Sequence, residues 1–296
     1  MNADCHYYAV LRVVPDARDG KDSARRIAYS SEFVDDLRVK HIVFRKAPRR
    51  MKCHILGKKP GLKDLCTSSK IMTVRNYKVR TMADVLVPFH LIPAGRGKSF
   101  QEKMRTFPDS PLLAPLVDDA VNSGDVYQLG IVLHVLADAY SHQGFSGIIS
   151  RRNRIRGLKV KKASVRGFHD RFIRAYLMYA DSIITRLFGR ILPAYSHSAA
   201  GTIPDIASAE WEYKYDTGES FITRYRSGGP VSNPRRYRQA FEAMRGVLQE
   251  FIQKHPAVLH GDPGFQDFEL FYRHLTEPGN SGKVRKTGKT SFWNII

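Results

Sequence analysis

Three side chains of metal-ligand type recur at four-residue intervals in an apolar stretch near the middle of the chain. They are His134, Asp138 and His142. On an α-helix a step of four residues advances about 400°, so the three side chains would lie along one stripe. Burying three unpaired polar groups in an apolar helix is costly, and a bound metal ion is the usual solution. The pattern predicts a metal site on a helix, with a hydrogen-bonded polar network in the core as the alternative.

The spacing also limits how these residues can share one ion. A helix rises about 6 Å over four residues and about 12 Å over eight, whereas bonds from zinc to nitrogen or oxygen are about 2 Å long. One ion can be bound by His134 with Asp138, or by Asp138 with His142, but not easily by both histidines. The stripe is therefore best suited to two adjacent metal ions with Asp138 between them.

Further candidate ligands lie in other segments of the chain. They are Asp4, His6, Asp35, His90, His197 and Asp205. Each is weak evidence alone, because Asp4 and His6 also suit a helix cap and a surface histidine, and His90 suits a hydrogen-bonded core position. Together with the central stripe they are too many for one tetrahedral ion and suit two or three. Oxygen and imidazole donors without thiolates are typical of Zn²⁺, Mn²⁺ or Fe²⁺ sites.

Helical spacing of apolar residues predicts most of the elements that position these ligands. The predicted helices are Ser23–Val39, Leu112–Asn122, Asp125–Tyr140, Phe168–Leu187, Pro234–His255 and Phe265–Leu275. We expect Asp35 on or beside the buried face of the first helix and Asp36 in solvent. Gly144 and Gly147 are expected to end the central helix, as glycines commonly do.

His90 lies in a short apolar segment that contains two prolines, Pro88 and Pro93. Proline lacks an amide hydrogen and disfavours helix in the residue before it. The segment is therefore predicted to be a rigid extended strip. Without internal repeats or a clear linker, the sequence predicts one mostly α-helical domain over residues 1–278. A basic loop or β-hairpin is expected at about 41–80, and a basic flexible tail at 279–296.

The chain carries a strong positive charge. It has 48 Lys and Arg against 28 Asp and Glu, a formal net charge of +20 and a pI near 10.0. Such a balance predicts affinity for polyanions, namely nucleic acid, anionic lipid surfaces or phosphorylated substrates. The basic segments Arg45–Lys63 and Arg151–Lys162 are expected to be loops that attract a phosphate-containing partner. Solvated loops that only increase solubility are the alternative, and the oligomeric state is left open.

The three cysteines, Cys5, Cys53 and Cys66, form no CxxC pair. They favour neither a disulfide framework nor a thiolate zinc site, and reduced thiols are typical of cytoplasmic proteins. The N-terminal residues show no basic segment followed by an apolar one, so no signal peptide is predicted. No apolar run approaches the length of a membrane span. We therefore expect a cytoplasmic protein without a transmembrane segment.

Several short motifs occur in an order that resembles a known enzyme superfamily. They are Asp4-x-His-Tyr-Tyr8, Phe33-Val-Asp-Asp36, Val87-Pro-Phe-His90, the box His134–Gly147 with its Ser-Arg-Arg-Asn153 continuation, and the segment from His197 to Pro204-Asp205. The order is similar to that of the trinuclear-zinc superfamily, which contains the bacterial zinc-dependent phospholipases C and the single-strand-specific nucleases of fungi and plants. An uncharacterised bacterial family that resembles these enzymes is closer still. The resemblance covers roughly residues 4 to 215.

The resemblance implies two or three zinc ions and a ligand set for each. The first ion would be bound by Asp35, His90, His134 and Asp138. A second would be bound by His142, His197 and Asp205. Asp138 would also bridge to a third ion held by His6 and the N-terminal region. The superfamily uses an N-terminal amine on a Trp there, and Asp4 is the candidate replacement in this chain.

These observations together predict a multi-helical zinc hydrolase of the phospholipase C and nuclease type that cleaves phosphodiesters in nucleic acid or phospholipid. A water molecule activated by metal would attack phosphorus. Asp35 or Asp205 would act as general base, with Asp35 preferred. The main alternative is a non-catalytic, metal-stabilised protein that binds nucleic acid or another partner. A di-metal oxidoreductase ranks last because no Glu-x-x-His pair is evident.

Overall fold

The computed structural model of the protein describes residues 4–14, 21–39, 65–67, 87–163, 197, 200–215, 230–261 and 268–276. About 59% of these residues are helical, and a small three-stranded sheet accompanies the helices. The described part is therefore mostly α-helical, as predicted. The division into domains and the phospholipase C and nuclease type of fold stay predictions.

The helices follow one another along most of the described part. A π-helical turn, Asp4–Ala9, leads into α1 (Val10–Val13), and the later helices are α2 (Lys21–Asp36), α3 (Val87–His90), α4 (Phe100–Lys103), α5 (Leu113–Ser123), α6 (Val126–Ser141), α7 (Asn233–Lys254) and α8 (Phe268–Thr276). The predicted long helices within the described residues are confirmed to within a few residues at each end. In this part of the chain, no helix has both the length and the apolar character that crossing a membrane requires.

The strands form two small antiparallel sheets. The first pairs β1 (Arg38–Val39) with β2 (Leu65–Cys66), and the second has the order β3 (Ile155–Lys162), β4 (Glu210–Tyr215) and β5 (Val231–Ser232). Short 3₁₀ turns at Arg151–Asn153 and Ile203–Asp205 precede β3 and β4.

Helix α6 is the centre of the larger hydrophobic core. It begins at Asp125, whose side chain accepts hydrogen bonds from the Tyr127 and Gln128 amides, as an N-cap does. Twelve of its sixteen residues are buried, because α2, α3, α5 and α7 pack around it. A helix that is apolar on all sides is buried on all sides. The central apolar run of the sequence therefore becomes the interior of the protein.

Gly130 lets α2 approach α6 closely. A Cβ atom at this position would overlap the Ser30 hydroxyl and the Ile27 carbonyl of α2. Ser30 turns its hydroxyl back to its own helix, where it donates to the Arg26 and Ile27 carbonyls. The same packing brings Asp35, at the end of α2, towards the ligand residues of α6.

The sheet of β3, β4 and β5 covers a second core. Its inward side chains are aromatic and aliphatic, and they pack with Phe145 and Ile203. Trp211 and Tyr213 are buried and stack on each other with ring centroids 4.8 Å apart. This core lies under the segments that carry the later ligand candidates.

Two predictions of local structure were wrong. Val87–His90 is a short helix instead of an extended strip, because Pro88 lies in its first turn, where proline is tolerated. Most of the predicted basic loop at Arg151–Lys162 is strand β3, since its apolar residues face the second core. Apart from β2 and Thr67, the excursion at 41–80 lies outside the described residues. The same holds for the helix predicted at Phe168–Leu187 and the tail at 279–296.

Substituting Gly130 by alanine tests the close helix packing. Overpacking of this kind costs about 1–3 kcal/mol, which offsets or exceeds the roughly 1 kcal/mol that alanine gains over glycine in a helix. We expect Gly130→Ala to lower the midpoint of chemical denaturation. Gly246 of α7 is the matched control, because a Cβ atom there meets nothing within 4 Å. Gly246→Ala should raise the midpoint, and equal midpoints for the two variants would contradict the packing argument.

Candidate metal centre

Five buried residues from four separate elements form a group that we call the inner cluster. They are His6, Asp35, His90, His134 and Asp138, and each is 5% exposed or less. The N-terminal turn carries the first, the ends of α2 and α3 carry the next two, and α6 carries the last two. The helix packing therefore brings together residues that are more than a hundred positions apart in sequence.

The ligand atoms of the inner cluster are separated by distances that suit shared metal ions. Asp138 Oδ1 lies 3.2 Å from His6 Nε2, and its Oδ2 lies 2.9 Å from His90 Nδ1 and 3.3 Å from His134 Nε2. Asp35 is somewhat farther away, at 3.9 Å from His6 and 3.8 Å from His90. Two atoms bound to the same zinc ion lie about 3–4 Å apart. Two overlapping ligand groups, both containing His134, can be drawn from these residues.

A backbone carbonyl determines which nitrogen of His90 faces the cluster. Its Nε2–H donates to the Thr67 carbonyl, so a neutral His90 presents the lone pair of Nδ1 to Asp138. That lone pair and a carboxylate oxygen repel each other unless a proton or a metal ion lies between them. Burial lowers the pKa of His90, but the hydrogen bond and the charge of Asp138 raise it by more. Without metal, we therefore expect this position to hold a proton.

His6 and His134 have buried nitrogens without a hydrogen bond in the described part of the chain. The Nδ1 atoms of both rings are in this state, and His6 Nε2 is not aligned for a hydrogen bond with Asp138. The two rings stack with centroids 3.8 Å apart. Burial, followed by the charge of His134, lowers the pKa of His6 to about 3. His6 is therefore neutral at pH 7, which is the form that binds metal ions.

Three further residues form the outer cluster, which reaches the surface. His142 follows α6 directly, Asp205 ends a 3₁₀ turn, and His197 lies before that turn. Asp205 Oδ1 is 3.1 Å from His142 Nε2, and its Oδ2 is 3.8 Å from His197 Nε2. The side chains of His197 and Asp205 are 18% and 15% exposed. The ligand atoms of these three residues lie within 4.8 Å of one another.

Both histidines of the outer cluster are oriented in the way that metal-bound histidines commonly are. Nδ1–H of His142 donates to the His90 carbonyl at 3.0 Å, and Nδ1–H of His197 donates to the Gly201 carbonyl at 2.8 Å. In the neutral form, each ring therefore presents the lone pair of Nε2 to Asp205. The bond between His142 and the His90 backbone also joins the outer cluster to the inner cluster.

The carboxylates of both clusters are held in the ionised form. Burial raises the pKa of the Asp205 carboxyl, but nearby positive charges, including those of His197 and His142, lower it by more. Burial likewise raises the pKa of Asp138 and of Asp35, but nearby positive charges lower it by more. The pKa of Asp138 is held well below its usual value, and that of Asp35 is lowered. Burial lowers the pKa of His197. Ionised carboxylates beside imidazoles that can release a proton on binding are the donor set that a divalent cation requires.

One detail of the predicted arrangement differs from the structure. Asp138 was expected to lie between an ion on His134 and an ion on His142. His142 caps α6, and its Nδ1 lies 3.8 Å from Asp138 Oδ2, but this nitrogen donates to the His90 carbonyl while Nε2 faces Asp205. Asp138 is instead surrounded by residues of the inner cluster. The structure brings together all the predicted ligands except Asp4, whose side chain lies outside the described residues.

Asn233 holds the outer cluster in place, a role that no sequence pattern indicates. Its side-chain amide donates to the Ile203 carbonyl at 2.7 Å and to the Ile206 carbonyl at 2.9 Å, on either side of Asp205. Its side-chain oxygen accepts a hydrogen bond from Trp211 Nε1 at 2.9 Å. The 3₁₀ turn of Asp205 is thus attached to the start of α7 and to β4. From sequence alone, Asn233 is an ordinary polar residue before a proline.

Two buried arginines fix the segment that carries His142. Arg236 donates to the Ser141 carbonyl at 3.0 Å, at the end of α6, where a positive charge is favourable. Arg105 donates to the Gly144 carbonyl at 3.0 Å. The backbone is therefore bound by a guanidinium group on both sides of His142. Because the acceptors are backbone carbonyls, the sequence carries no signal of these contacts either.

The described part of the molecule is thus a mostly helical protein with two clusters of metal-ligand side chains. The sequence matches the model of DUF6765, a family of unknown function, over residues 1–277. The chain therefore belongs to this family. No curated protein and no solved structure matches the chain. The family match does not test the resemblance to the zinc-dependent phospholipases C and nucleases, which stays a prediction, as does the cytoplasmic location.

Replacing Asn233 by alanine tests the support of the outer cluster. The substitution leaves the Trp211 N–H without its acceptor and removes one of the two hydrogen bonds that the Ile203 and Ile206 carbonyls each accept. Each unsatisfied buried group costs about 1–3 kcal/mol. We expect the free energy of unfolding to fall by about 2–4 kcal/mol in urea denaturation, with weaker metal binding at the outer cluster.

Asn122 provides the matched control for this substitution. It is exposed, and its side chain contacts only the surface residue Lys254, at 2.8 Å, among the hydrogen bonds seen in the described part. Asn122→Ala should change the free energy of unfolding by less than about 0.5 kcal/mol. If Asn233→Ala were equally mild, Asn233 would not hold the turn.

Proposed function

We propose that the protein is a metal-dependent hydrolase of phosphodiester bonds that binds two or three divalent ions, with zinc as the first candidate. One observation carries the proposal. His90, His142 and His197 each donate one N–H to a backbone carbonyl and direct the other nitrogen at a carboxylate. This orientation serves a metal ion, because a second shell of this kind sets the tautomer of metal-binding histidines.

The charges of the inner cluster also favour a metal ion over a hydrogen-bonded network. Asp35 and Asp138 are buried and ionised, and His6 beside them is neutral. Burying negative charge is costly unless cations and hydrogen-bond donors surround it closely. The unbonded nitrogens of His6 and His134 add to that cost. A divalent cation would lower the cost of burying the carboxylates and would give the unbonded nitrogens a partner.

The two clusters differ in their access to solvent, which suggests different roles. A bound divalent ion would lower the pKa of a water molecule and neutralise charge on a phosphoryl group. The inner cluster is closed to solvent, so its residues would hold an ion and shape the field around the outer one. His197 and Asp205 border the solvent and are placed to meet a substrate.

Asp205 is better placed than Asp35 to accept a proton from an attacking water molecule. A general base must reach that water directly or through one intervening molecule. The Asp205 side chain is 15% exposed, whereas that of Asp35 is 4% exposed. Asp35 was preferred from the sequence, and the burial of its carboxylate favours a role in holding the ion. Asp205 is accordingly our candidate for proton transfer.

A phosphodiester is the proposed substrate because the chain is strongly basic and its motif order resembles phosphodiester hydrolases. The net charge of +20 favours an anionic substrate. Nucleic acid is favoured over a phospholipid headgroup, because the closely spaced phosphates of a nucleic acid attract a strongly basic protein more strongly than a single headgroup does.

Elemental mass spectrometry of the purified protein tests the metal centre. We expect about two or three zinc ions per chain. Asp138→Asn should lose the inner ions, and Asp205→Asn should lose one ion and retain the rest. His255→Gln is the control, because His255 also donates to a backbone carbonyl, that of Val121, but belongs to neither cluster. A folded wild-type protein that binds no divalent metal, even after reconstitution, would overturn the proposal.

Hydrolysis of bis(4-nitrophenyl) phosphate by the metal-loaded protein tests the reaction. The expected result is metal-dependent release of nitrophenol that falls about 100-fold or more in Asp205→Asn. 4-Nitrophenyl phosphate serves as the monoester comparison and should react more slowly. Full metal content in the wild type without any hydrolysis of phosphodiesters would favour the non-catalytic alternative, in which the ions only stabilise the fold.

A further inference from the structure

The outward face of the β3–β4 ribbon is strongly basic. Strand β3 buries Ile155 and Leu158, packs the half-buried Val160 against the second core and exposes its charged side chains. On this face the two strands carry five basic and two acidic residues, namely Arg156, Lys159, Lys161, Lys162, Lys214, Glu210 and Glu212. All five basic residues are exposed. The basic segment predicted as a loop is thus a fixed array of cations on a strand.

Two of these cations lie directly opposite each other. Arg156 and Lys214 are partners in the register of β3 and β4. Like charges at directly opposed positions destabilise an antiparallel pair. Next along the ribbon, Glu212 is opposite Lys159 and forms an ion pair with Lys161 at 2.9 Å. The acidic residues therefore balance the far end of the ribbon and leave excess positive charge around Arg156 and Lys214.

The chemistry of this face suits the phosphate backbone of a nucleic acid. Alternate residues of a strand are about 6.7 Å apart, so the cations form a linear array that matches a linear polyanion. The aromatic residues of β4, Trp211, Tyr213 and Tyr215, face the core and are buried. They cannot stack on bases, so contacts from this face would be independent of sequence.

Other binding modes fit this face less well. The ribbon cannot enter a major groove, because β4 also pairs with β5 and its inner face packs on the body of the protein. A peripheral membrane surface usually adds apolar side chains that insert between the lipids. The outward positions of β3 and β4 carry charged residues and Gly157.

We propose that the outward face of the β3–β4 ribbon binds the phosphate backbone of nucleic acid without sequence preference. The inward face of the same ribbon reaches the outer cluster through Phe145. Tyr215 donates to the Gly144 carbonyl at 2.8 Å, Tyr213 stacks on Phe145 with ring centroids 5.7 Å apart, and Phe145 contacts the ring of His197. The ribbon would therefore bind the strand next to the opening of the candidate metal centre. Binding does not require that the metal centre be catalytic, so each proposal can fail without the other.

Fluorescence anisotropy with the full-length protein tests the surface. The probe is a fluorescein-labelled oligo(dT) of about 20 nucleotides, titrated between about 50 and 200 mM salt. In the triple variant Arg156→Gln, Lys159→Gln and Lys214→Gln, we expect Kd to rise about tenfold or more at the lowest salt. The slope of log K against log salt should fall by about 2, since each phosphate contact to a single strand contributes about 0.7.

A variant with the same loss of charge elsewhere is the control. Arg25→Gln, Lys254→Gln and Arg273→Gln remove three exposed cations from α2, α7 and α8. This variant should bind within about twofold of the wild type at 200 mM salt, where long-range effects are screened. Electrophoresis of the probe after each titration shows whether it was cleaved. Elemental analysis of each variant measures its metal content independently of binding.

Three outcomes would overturn the proposal. In the first, the ribbon variant binds oligo(dT) as the wild type does. In the second, the control variant loses as much affinity and slope, so that net charge alone determines binding. In the third, the ribbon variant keeps its affinity for nucleic acid and loses binding to phosphatidylserine vesicles, which would make a lipid surface the partner. Circular dichroism and thermal melting of both variants establish that the edge strand stays folded.

Discussion

The burial of two carboxylates, Asp35 and Asp138, is the constraint on which the site depends. Negative charge is expensive in a protein interior unless cations or hydrogen-bond donors surround it. The fold surrounds these groups with imidazole rings from the N-terminal turn, α3 and α6. Such an arrangement requires that α2 and α6 approach closely, which Gly130 permits. The close packing of α2 and α6 is therefore a condition for forming the inner cluster.

Backbone carbonyls complete the site, because they decide which nitrogen of each histidine is available. The Thr67, His90 and Gly201 carbonyls orient three of the rings. The His90 residue takes part twice, with its side chain in the inner cluster and its carbonyl bound to His142. A displacement of α3 would therefore alter both clusters. Backbone carbonyls also position the segments that carry the ligands. Asn233, Arg236 and Arg105 donate to the carbonyls of the segments that hold Asp205 and His142.

The small sheet serves two purposes because a strand alternates its side chains between two faces. One face supplies Trp211, Tyr213 and Tyr215 to the core beneath the outer cluster. The opposite face presents lysine and arginine to solvent. Positive residues on an edge strand also protect against association with other chains, and among the described strands β3 is at an edge. Positive charge on this face would thus both prevent pairing of the edge strand with other chains and attract an anionic partner.

The sequence by itself determined the long helices, the burial of Asp35 and the proximity of His134 and Asp138, because helical periodicity and a four-residue step are local properties. It also identified each candidate ligand by type, and the order of the motifs suggested how to group them. The tertiary structure decided what local rules cannot: that Nε2 of His142 faces Asp205, that Pro88 lies in the first turn of a helix, and that Arg151–Lys162 is mostly a strand. It also placed Asn233 and the two arginines around the outer cluster. Those outcomes depend on contacts between distant segments, whose free energies outweigh local preference and leave no pattern in the sequence.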